Sequence, residues 1–390
     1  MTSPLGERTP VVIAARRTPV GSAGHGLADL DVVDLAAPVL RAVVDDVLAL
    51  GVREQIGDVL LGNTRGPGGN IARVAALAAG LGTGVPGATL DRQCGSGQAA
   101  IHWAGEQILS GAADLVIAGG AESASTQPTT LLGDPPVAYN RAPFAPAGFD
   151  DPEMGLAAQR VADEAGISRE RQDAYAVRSH ERALASMASG VELAELVPLA
   201  GLSQDERPRR LRPAVLARMP GAFSPGGSIT SANSCGVSDA AAAVAVVPEC
   251  VRRELGVPGL ALRAWSSVGV EPGLPGLGPV PAVRAVLRRT GYAWPDVAAV
   301  EITEAFAGQV LACTDQWGLD PLGADDDRVC VQGGAIARGH PWGASGALLV
   351  VRLFSQFVRS APPAPRSSIG VATCAVGGGQ GLALLVERVG

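Results

Sequence analysis

Apolar and polar positions over the first 80 residues alternate between two periods. Residues 11–15 and 59–61 are short apolar runs typical of strands, whereas residues 35–48 and 71–79 carry apolar side chains at helical spacing. Strands that alternate with helices build a sheet whose faces the helices cover. The pattern therefore predicts an α/β core.

The middle of the chain has a different texture. Between residues 123 and 227 proline and charge are frequent, and helical patterns stand out at 154–164 and 169–189. A continuous small apolar run at 239–247 then predicts a buried strand. We therefore predict three parts: an N-terminal half at residues 1–122 plus 239–256, an inserted loop domain at 123–238, and a C-terminal half at 257–390.

Cys94 lies where an extended run gives way to a helical pattern. The run ends near Asp91, small residues occupy positions 95–97, and apolar helical spacing continues to Ile108. The partial positive charge at the start of a helix lowers the pKa of a nearby thiol, and the thiolate is the nucleophile. Cys94 is therefore a candidate nucleophile, and an inert buried thiol is the alternative.

His340 lies in the glycine- and alanine-rich stretch GGAIARGHPWGASGA at residues 333–347. Glycines let the backbone approach a ligand closely, and Pro341 stiffens the chain directly after the histidine. An imidazole on such a support suits proton transfer or the stabilisation of an oxyanion. The alternative is a histidine with a purely structural role.

Many sequence blocks, in this order, resemble the thiolase family over essentially the whole chain. Each block alone is a weak signal, and their order and spacing carry the resemblance. They include CGSG at 94–97, DLVIAGGAES at 114–123, DERPR at 205–209, ITSANSCGVSDAAAA at 229–243, ITEAFA at 302–307, the His340 stretch, and GGGQG at 377–381. The resemblance implies a five-layer αβαβα sandwich of two similar halves, with an inserted loop domain that grips coenzyme A.

The resemblance also implies a role for particular residues. Cys94 would carry the acyl group as a thioester, His340 would activate Cys94, and the backbone N–H groups of Cys94 and Gly377 would bind the oxyanion. A water at Thr303 would complete a second oxyanion hole with His340, and Cys374 would be the base. The implied binding residues are Arg209 against the adenine and, along the pantetheine channel, Met154, Phe223, Cys235 and Phe306.

Two positions depart from the family pattern. Thr303 stands where the family usually has an asparagine, and a hydroxyl offers a shorter reach and fewer hydrogen bonds than an amide. Aligned on the glycines at 377–379, the family's base cysteine corresponds to Ala375, one residue after Cys374. A slip of one residue in a strand turns the side chain to the opposite face unless a bulge restores it, so the identity of the base is left open.

Composition narrows the classes of function. The 390 residues are 47% hydrophobic, enough for a large enzyme of more than one domain. All 31 basic residues are arginine, which excludes chemistry that needs a Schiff-base or phosphate-loop lysine. The six cysteines form no CxxC pair and no histidine stands at zinc spacing, so we expect no metal and no disulfide framework.

The formal net charge of −7 argues against a nucleic-acid or anionic-membrane partner. The sequence also has no leader pattern and no apolar run of membrane-spanning length, so we expect a cytoplasmic enzyme. Acyl-CoA and coenzyme A are expected as substrates, with no further cofactor. By analogy with thiolases we expect a homodimer, with a tetramer left open.

Three hypotheses of different kinds follow. The first is a thiolase-type acyl-CoA C-acyltransferase of fatty acid metabolism, which forms or cleaves 3-ketoacyl-CoA through an acyl-cysteine. The second is a ketosynthase-like or other acyltransferase that acylates Cys94 but needs no cysteine base. The third is a non-catalytic acyl-CoA-binding homologue.

Overall fold

The computed structural model describes residues 5–139, 141–360, 365 and 368–390. We number its strands and helices in chain order. The strands are β1 (Pro10–Arg17), β2 (Gly21–Ser22), β3 (Asp58–Gly62), β4 (Ala88–Leu90), β5 (Val116–Ser123), β6 (Thr130–Leu132), β7 (Val137–Tyr139), β8 (Ser238–Pro248), β9 (Gly259–Gly269), β10 (Val297–Ile302), β11 (Ile369–Val376) and β12 (Gln380–Val389).

The helices cover the faces of these strands and fill the segment between β5 and β8. They are α1 (Val32–Ala49), α2 (Ile71–Ala78), α3 (Ser96–Ser110), α4 (Met154–Glu164), α5 (Arg169–Ser189), α6 (Pro213–Leu216), α7 (Glu249–Leu255), α8 (Pro279–Thr290), α9 (Ala307–Trp317), α10 (Ala335–Arg338) and α11 (Trp342–Phe354). Within the described residues, no helix combines the length and the apolar character needed to cross a membrane.

Ten strands form one continuous mixed sheet in the described part of the chain. The order is β10-β11-β12-β9-β1-β8-β5-β3-β4, with β2 beside β8. The pairs β3–β4, β3–β5 and β10–β11 are parallel, and the other pairs in this order are antiparallel. The strands of the two halves meet where Val11 and Val12 of β1 pair with Ala261 and Leu260 of β9.

Alternate side chains of each strand enter different cores, as the period of two requires. In β1, Val11 and Ile13 pack under α1 and α2, while Val12 and Ala15 face the core that contains α3 and α11. The middle core also takes residues from β11 and β12, and a third core lies between the C-terminal strands and helices α8 and α9. This stacking confirms the predicted five-layer αβαβα sandwich.

The predicted helices at 154–164 and 169–189 are confirmed as α4 and α5, and the apolar run at 239–247 lies in β8, which is buried along its whole length. The inserted segment packs against the C-terminal half. Tyr175 and Ser179 of α5 donate hydrogen bonds to the two carboxylate oxygens of Glu304, at 2.9 and 2.6 Å. The three-part division of the chain stays a prediction.

A buried network of charges joins the two halves and the insert. Arg17 of β1 pairs with Glu195 at 2.6 Å and with Asp205 at 2.7 Å, and Arg338 of α10 pairs with Asp205 and, at 2.8 Å, with Glu192. Burial by itself raises the pKa of Asp205, but the two guanidinium groups hold that pKa well below its usual value. The network anchors the chain two residues before His340.

Removing one partner leaves the other buried charges uncompensated, which costs far more than breaking an exposed pair. We expect Asp205→Asn to lower the free energy of unfolding by about 3–5 kcal/mol, measured by urea denaturation. The matched control is Asp45→Asn, which breaks the half-exposed pair between Asp45 and Arg41 and is expected to cost under about 1 kcal/mol. Equal losses in the two variants would contradict this role of the network.

Candidate active site

A cavity of about 350 Å³ opens between the N-terminal half, the insert and the C-terminal half. It brings together residues that lie far apart in the sequence. The predicted site residues in its wall are Cys94, His340, Gly377, Met154, Phe223, Cys235 and Phe306. Three others, Cys374, Thr303 and Arg209, do not line it. A surface groove of about 410 Å³ beside Trp265 and Arg289 contains none of the predicted residues.

A strained turn presents Cys94 at the start of α3. Gln93 has a φ of 47°, in the left-handed region that residues other than glycine rarely adopt. Its N–H donates to Asp91 Oδ1 at 2.8 Å, and the N–H groups of Gly95 and Ser96 donate to the carbonyls of Arg92 and Gln93. These hydrogen bonds hold the turn, and Cys94 faces the cavity directly before the helix.

The Cys94 thiol is less acidic than its position in the sequence predicts. Burial is the largest effect and raises the pKa of Cys94 to about 12. The thiol of Cys235 and the carboxyls of Glu122 and Asp91 also raise this pKa, and the hydrogen bond from the backbone N–H of Cys94 offsets only part of the increase. The sequence-based expectation of a lowered pKa is therefore wrong for the free protein. The thiol is protonated at neutral pH, and its attack on a substrate requires a base.

His340 lines the same cavity as Cys94. Its backbone N–H donates to the carbonyl of Gly236 at 2.8 Å, and its Nδ1 lies 2.6 Å from Ser345 Oγ. Burial lowers the pKa of His340 to about 4, so the ring is neutral at physiological pH and can accept a proton. Sequence reasoning missed Ser345, although it stands five residues after His340 in the same motif.

Close backbone contact brings the loops of the two halves together. A Cβ at Gly97 of α3 would lie 2.7 Å from the carbonyl oxygen of Gly343, and a Cβ at Gly120 of β5 would lie 2.1 Å from that oxygen. The buried carboxylate of Glu122 accepts the N–H of Gly343 at 2.9 Å and the N–H of Arg65 at the same distance. Sequence reasoning did not assign this positioning role to Glu122.

Cys374 is not part of the cavity wall. Strands β11 and β12 pair without a bulge, with Cys374 opposite Leu382 and Ala375 opposite Gly381. The Cys374 side chain is fully buried, packs against Leu382 and donates to Gln98 Oε1 at 3.3 Å. Ala375 lines the cavity instead. Val376, on the same strand face as Cys374, also lines the cavity, and the charge of Cys94 adds to the burial that raises the pKa of the Cys374 thiol. The role of Cys374 as the base stays a prediction.

Thr303 also lies outside this cavity. Its backbone N–H donates to the carbonyl of Thr373 at 3.1 Å, and its side chain lines a separate internal cavity together with Glu301 and Ser345. The buried Oγ1 of Thr303 has no hydrogen-bond partner among the described protein groups. In the main cavity Ala305 and Phe306 supply this part of the wall. The oxyanion hole of Thr303 and His340 stays a prediction.

Arg209 is exposed and outside the cavity wall, and its guanidinium donates to the carbonyl of Arg207 at 3.2 Å. The cavity itself has a largely apolar side. Phe223 and Phe306 meet edge to face with their ring centres 6.0 Å apart, and Met154 begins α4 beside them. Such a surface suits the flexible apolar stem of a ligand. Among the described residues, no three His, Cys, Asp or Glu side chains form a metal-binding group.

Comparison with known proteins gives consistent matches along the chain. The family models described as "Thiolase, N-terminal domain" and "Thiolase, C-terminal domain" match residues 10–250 and 257–388. The Bacillus subtilis protein "Putative acetyl-CoA C-acetyltransferase YhfS" is 40% identical over 381 residues, 97% of this chain and 98% of that protein. The "Acetyl-CoA acetyltransferase" of Pseudomonas aeruginosa is 37% identical over 97% of this chain and 99% of its own length.

A solved structure shows the same architecture. The crystal structure of the Bacillus anthracis acetyl-CoA acetyltransferase matches with a TM-score of 0.87 and 33% sequence identity, over 98% of this chain and 99% of that one. The fold and the sequence therefore agree on the same group of proteins.

The different burial of the cysteines gives a test of the site. In the folded protein, iodoacetamide is expected to alkylate the partly exposed Cys94, Cys235 and Cys250 and to leave the fully buried Cys374 unmodified. Because thiolates are the reactive form, alkylation of Cys94 should still increase above pH 9. Peptide mass spectrometry measures each site, with protein unfolded in urea as the control. Rapid alkylation of Cys374 before unfolding would contradict the assigned register.

Proposed function

The chain belongs to the thiolase family, and from that premise we propose that it transfers acyl groups from acyl-CoA through a thioester on Cys94. The observation that carries the proposal is the shared cavity, whose wall contains both Cys94 and His340. Relatives named acetyl-CoA acetyltransferase support acetyl-CoA as one donor. Coenzyme A is then the leaving group.

In the first step the neutral imidazole of His340 takes the proton of the Cys94 thiol. The sulfur forms a bond to the carbonyl carbon of the acyl-CoA, the bond between that carbon and the sulfur of coenzyme A breaks, and the leaving thiolate takes up the proton. The raised pKa of Cys94 keeps the thiol neutral until a substrate is bound. Gly377, in the same wall, would donate its N–H to the developing oxyanion together with the N–H of Cys94.

The apolar wall of the cavity would bind the pantetheine arm of coenzyme A. Phe223, Phe306 and Met154 supply this surface, and Cys235 lines the same cavity. Arg209 is exposed and lies outside the cavity wall. We therefore propose that the adenine of coenzyme A also binds outside the cavity, against the guanidinium of Arg209.

The second step decides between two reactions. A C-acyltransferase removes a proton from the carbon next to the carbonyl of the acceptor, which requires a base close to the acyl group. A second candidate, an acyltransferase whose acceptor needs no such deprotonation, is favoured by Ala375, which stands in the wall where a thiol base would act. If the enzyme is a C-acyltransferase, its base is either Cys374, whose pKa the charge of Cys94 helps to raise, or a group other than a cysteine.

Incubation with acetyl-CoA is expected to add one acetyl group to the wild-type protein, detected by intact-mass spectrometry. Cys94→Ala should lose this adduct, because Cys94 lines the cavity with His340 in the turn directly before α3, and Cys235→Ser, which removes a second thiol of that wall, should keep it. Cys374→Ser is the matched control and should keep the adduct. Retention of the adduct in Cys94→Ala, or its loss only in Cys374→Ser, would refute the assignment of the nucleophile.

A thiol introduced at Ala375, in the cavity wall, tests whether a base at this position is what the wild-type protein lacks. We expect Ala375→Cys to increase the cleavage of 3-ketoacyl-CoA by coenzyme A by roughly 10²-fold, the usual contribution of a positioned acid or base. The measurement is loss of 3-ketoacyl-CoA absorbance, and Ala375→Ser is the control of nearly equal size without an acidic thiol. No gain in Ala375→Cys, with acylation of Cys94 intact, would show that the wild-type base lies elsewhere.

A further inference from the structure

A second internal cavity, of about 20 Å³, lies behind His340. Its polar wall is formed by Glu301 and Thr303 from the end of β10, Arg338 of α10 and Ser345 of α11. Glu301 Oε2, Thr303 Oγ1 and Arg338 Nε are buried and have no hydrogen-bond partner among the described protein groups. Ser345 Oγ is 2.6 Å from Nδ1 of His340.

The size and the polarity of this cavity match a single water molecule. A water needs about 10–15 Å³ and two to four polar partners, and the wall offers two oxygens, one hydroxyl of Ser345 and one guanidinium nitrogen. Leaving such groups unsatisfied in a protein interior is unfavourable, because each has lost its hydrogen bonds to water. A water that bonds to three of them removes most of that cost.

We propose that this cavity binds one ordered water that connects Glu301, through Ser345, to His340, and that Glu301 is a positioning residue which takes over the proton His340 accepts from Cys94. The inference rests on the proposed function, because it concerns the proton that leaves the thiol during acylation. The hydroxyl of Thr303 forms a further hydrogen bond to this water. In this chain the residue at position 303 therefore binds a water in the second cavity, whereas the family's asparagine would bind one in the main cavity.

The transfer balances without any further reactant. As Nε2 of His340 gains the proton of Cys94, Nδ1–H passes its proton to Ser345 Oγ, the serine passes its own hydroxyl proton to the water, and the water passes one to the carboxylate of Glu301. The products are the Cys94 thiolate, a neutral imidazole and a protonated Glu301. The reverse sequence returns the proton to the leaving thiolate of coenzyme A.

The charges around Glu301 suit it as the acceptor. Burial is the largest effect and raises the pKa of Glu301 to about 7, and the charge of Glu304 acts in the same direction. Arg352, the hydrogen bond from Gln356 at 2.7 Å and Arg338 act in the opposite direction. The pKa of His340 is about 4, so the carboxylate binds a proton more tightly than the imidazole. Above about pH 7 Glu301 is ionised in the free enzyme and can accept a proton.

The pH profile of acylation tests this relay. The kcat/KM for release of coenzyme A from acetyl-CoA should rise with pH through an apparent pKa near 7 in the wild type, because the acceptor must be ionised. We call this rise the limb of the pH profile. In Glu301→Gln we expect the limb to move towards pH 4, the pKa of His340. We also expect the plateau to fall about tenfold or more, one pKa unit corresponding to tenfold, with an unchanged KM for acetyl-CoA.

Matched variants separate the relay from a structural role. Ser345→Ala should lose the limb near pH 7, Thr303→Val should lower the plateau, and Thr303→Ser should restore it. Thr314→Val is the control, because Thr314 is equally buried but donates only to the carbonyl of Leu311 in α9. Infrared titration gives a readout independent of turnover. The pKa of the buried Glu122 is also raised to about 7, so the band of protonated carboxylic acid that vanishes near pH 7 should lose one component in Glu301→Gln and a different component in Glu122→Gln.

The outcomes distinguish this inference from the function on which it rests. If the wild-type enzyme forms no acyl-Cys94, both are overturned. If Cys94 is acylated but folded Glu301→Gln keeps the limb near pH 7 and its rate, the relay alone is overturned and the proposed function stands. Loss of the limb in Glu301→Gln and Ser345→Ala, with Thr314→Val unchanged, supports the relay.

Discussion

The close approach of two helices in the middle layer determines the site. Helices α3 and α11 come from opposite halves of the chain, and the Gly343 carbonyl fits against Gly97 and Gly120 only because neither has a side chain. Cys94 precedes one helix and His340 precedes the other. Packing the two N-terminal ends together therefore places a thiol and an imidazole in one cavity, although 245 positions separate them in the sequence.

Burial then sets the chemistry of that pair. A low-dielectric interior disfavours the charged form of any group, so it raises the pKa of Cys94 and lowers that of His340. Both groups are neutral at rest, and neither is activated by the other before a substrate arrives. The buried charged groups of this region lie outside the Cys94–His340 cavity. They are the network of Arg17, Asp205 and Arg338 and the groups around Glu301.

Much of this was readable from sequence, because it depends on local patterns. The bounds of α4 and α5 follow from helical spacing, and the structure adds a cap at Ser168, whose side chain accepts the N–H of Arg171. The candidate nucleophile and its histidine follow from motifs. The pKa of Cys94 did not follow, because a helix N-terminus was visible in the sequence while the surrounding desolvation was not.

The sequence by itself determined the α/β class and, through its ordered motifs, the family, since periodicity and motifs are properties of neighbouring residues. The resemblance to that family then implied the five-layer architecture and the candidates Cys94 and His340. Only the tertiary structure decided that Cys374 points into the core and Ala375 into the cavity, because a strand's register depends on its partner β12. It also decided that Thr303 faces Ser345 and Glu301 in a second cavity. Which face of a strand meets a cavity is a long-range property of packing, and no local pattern encodes it.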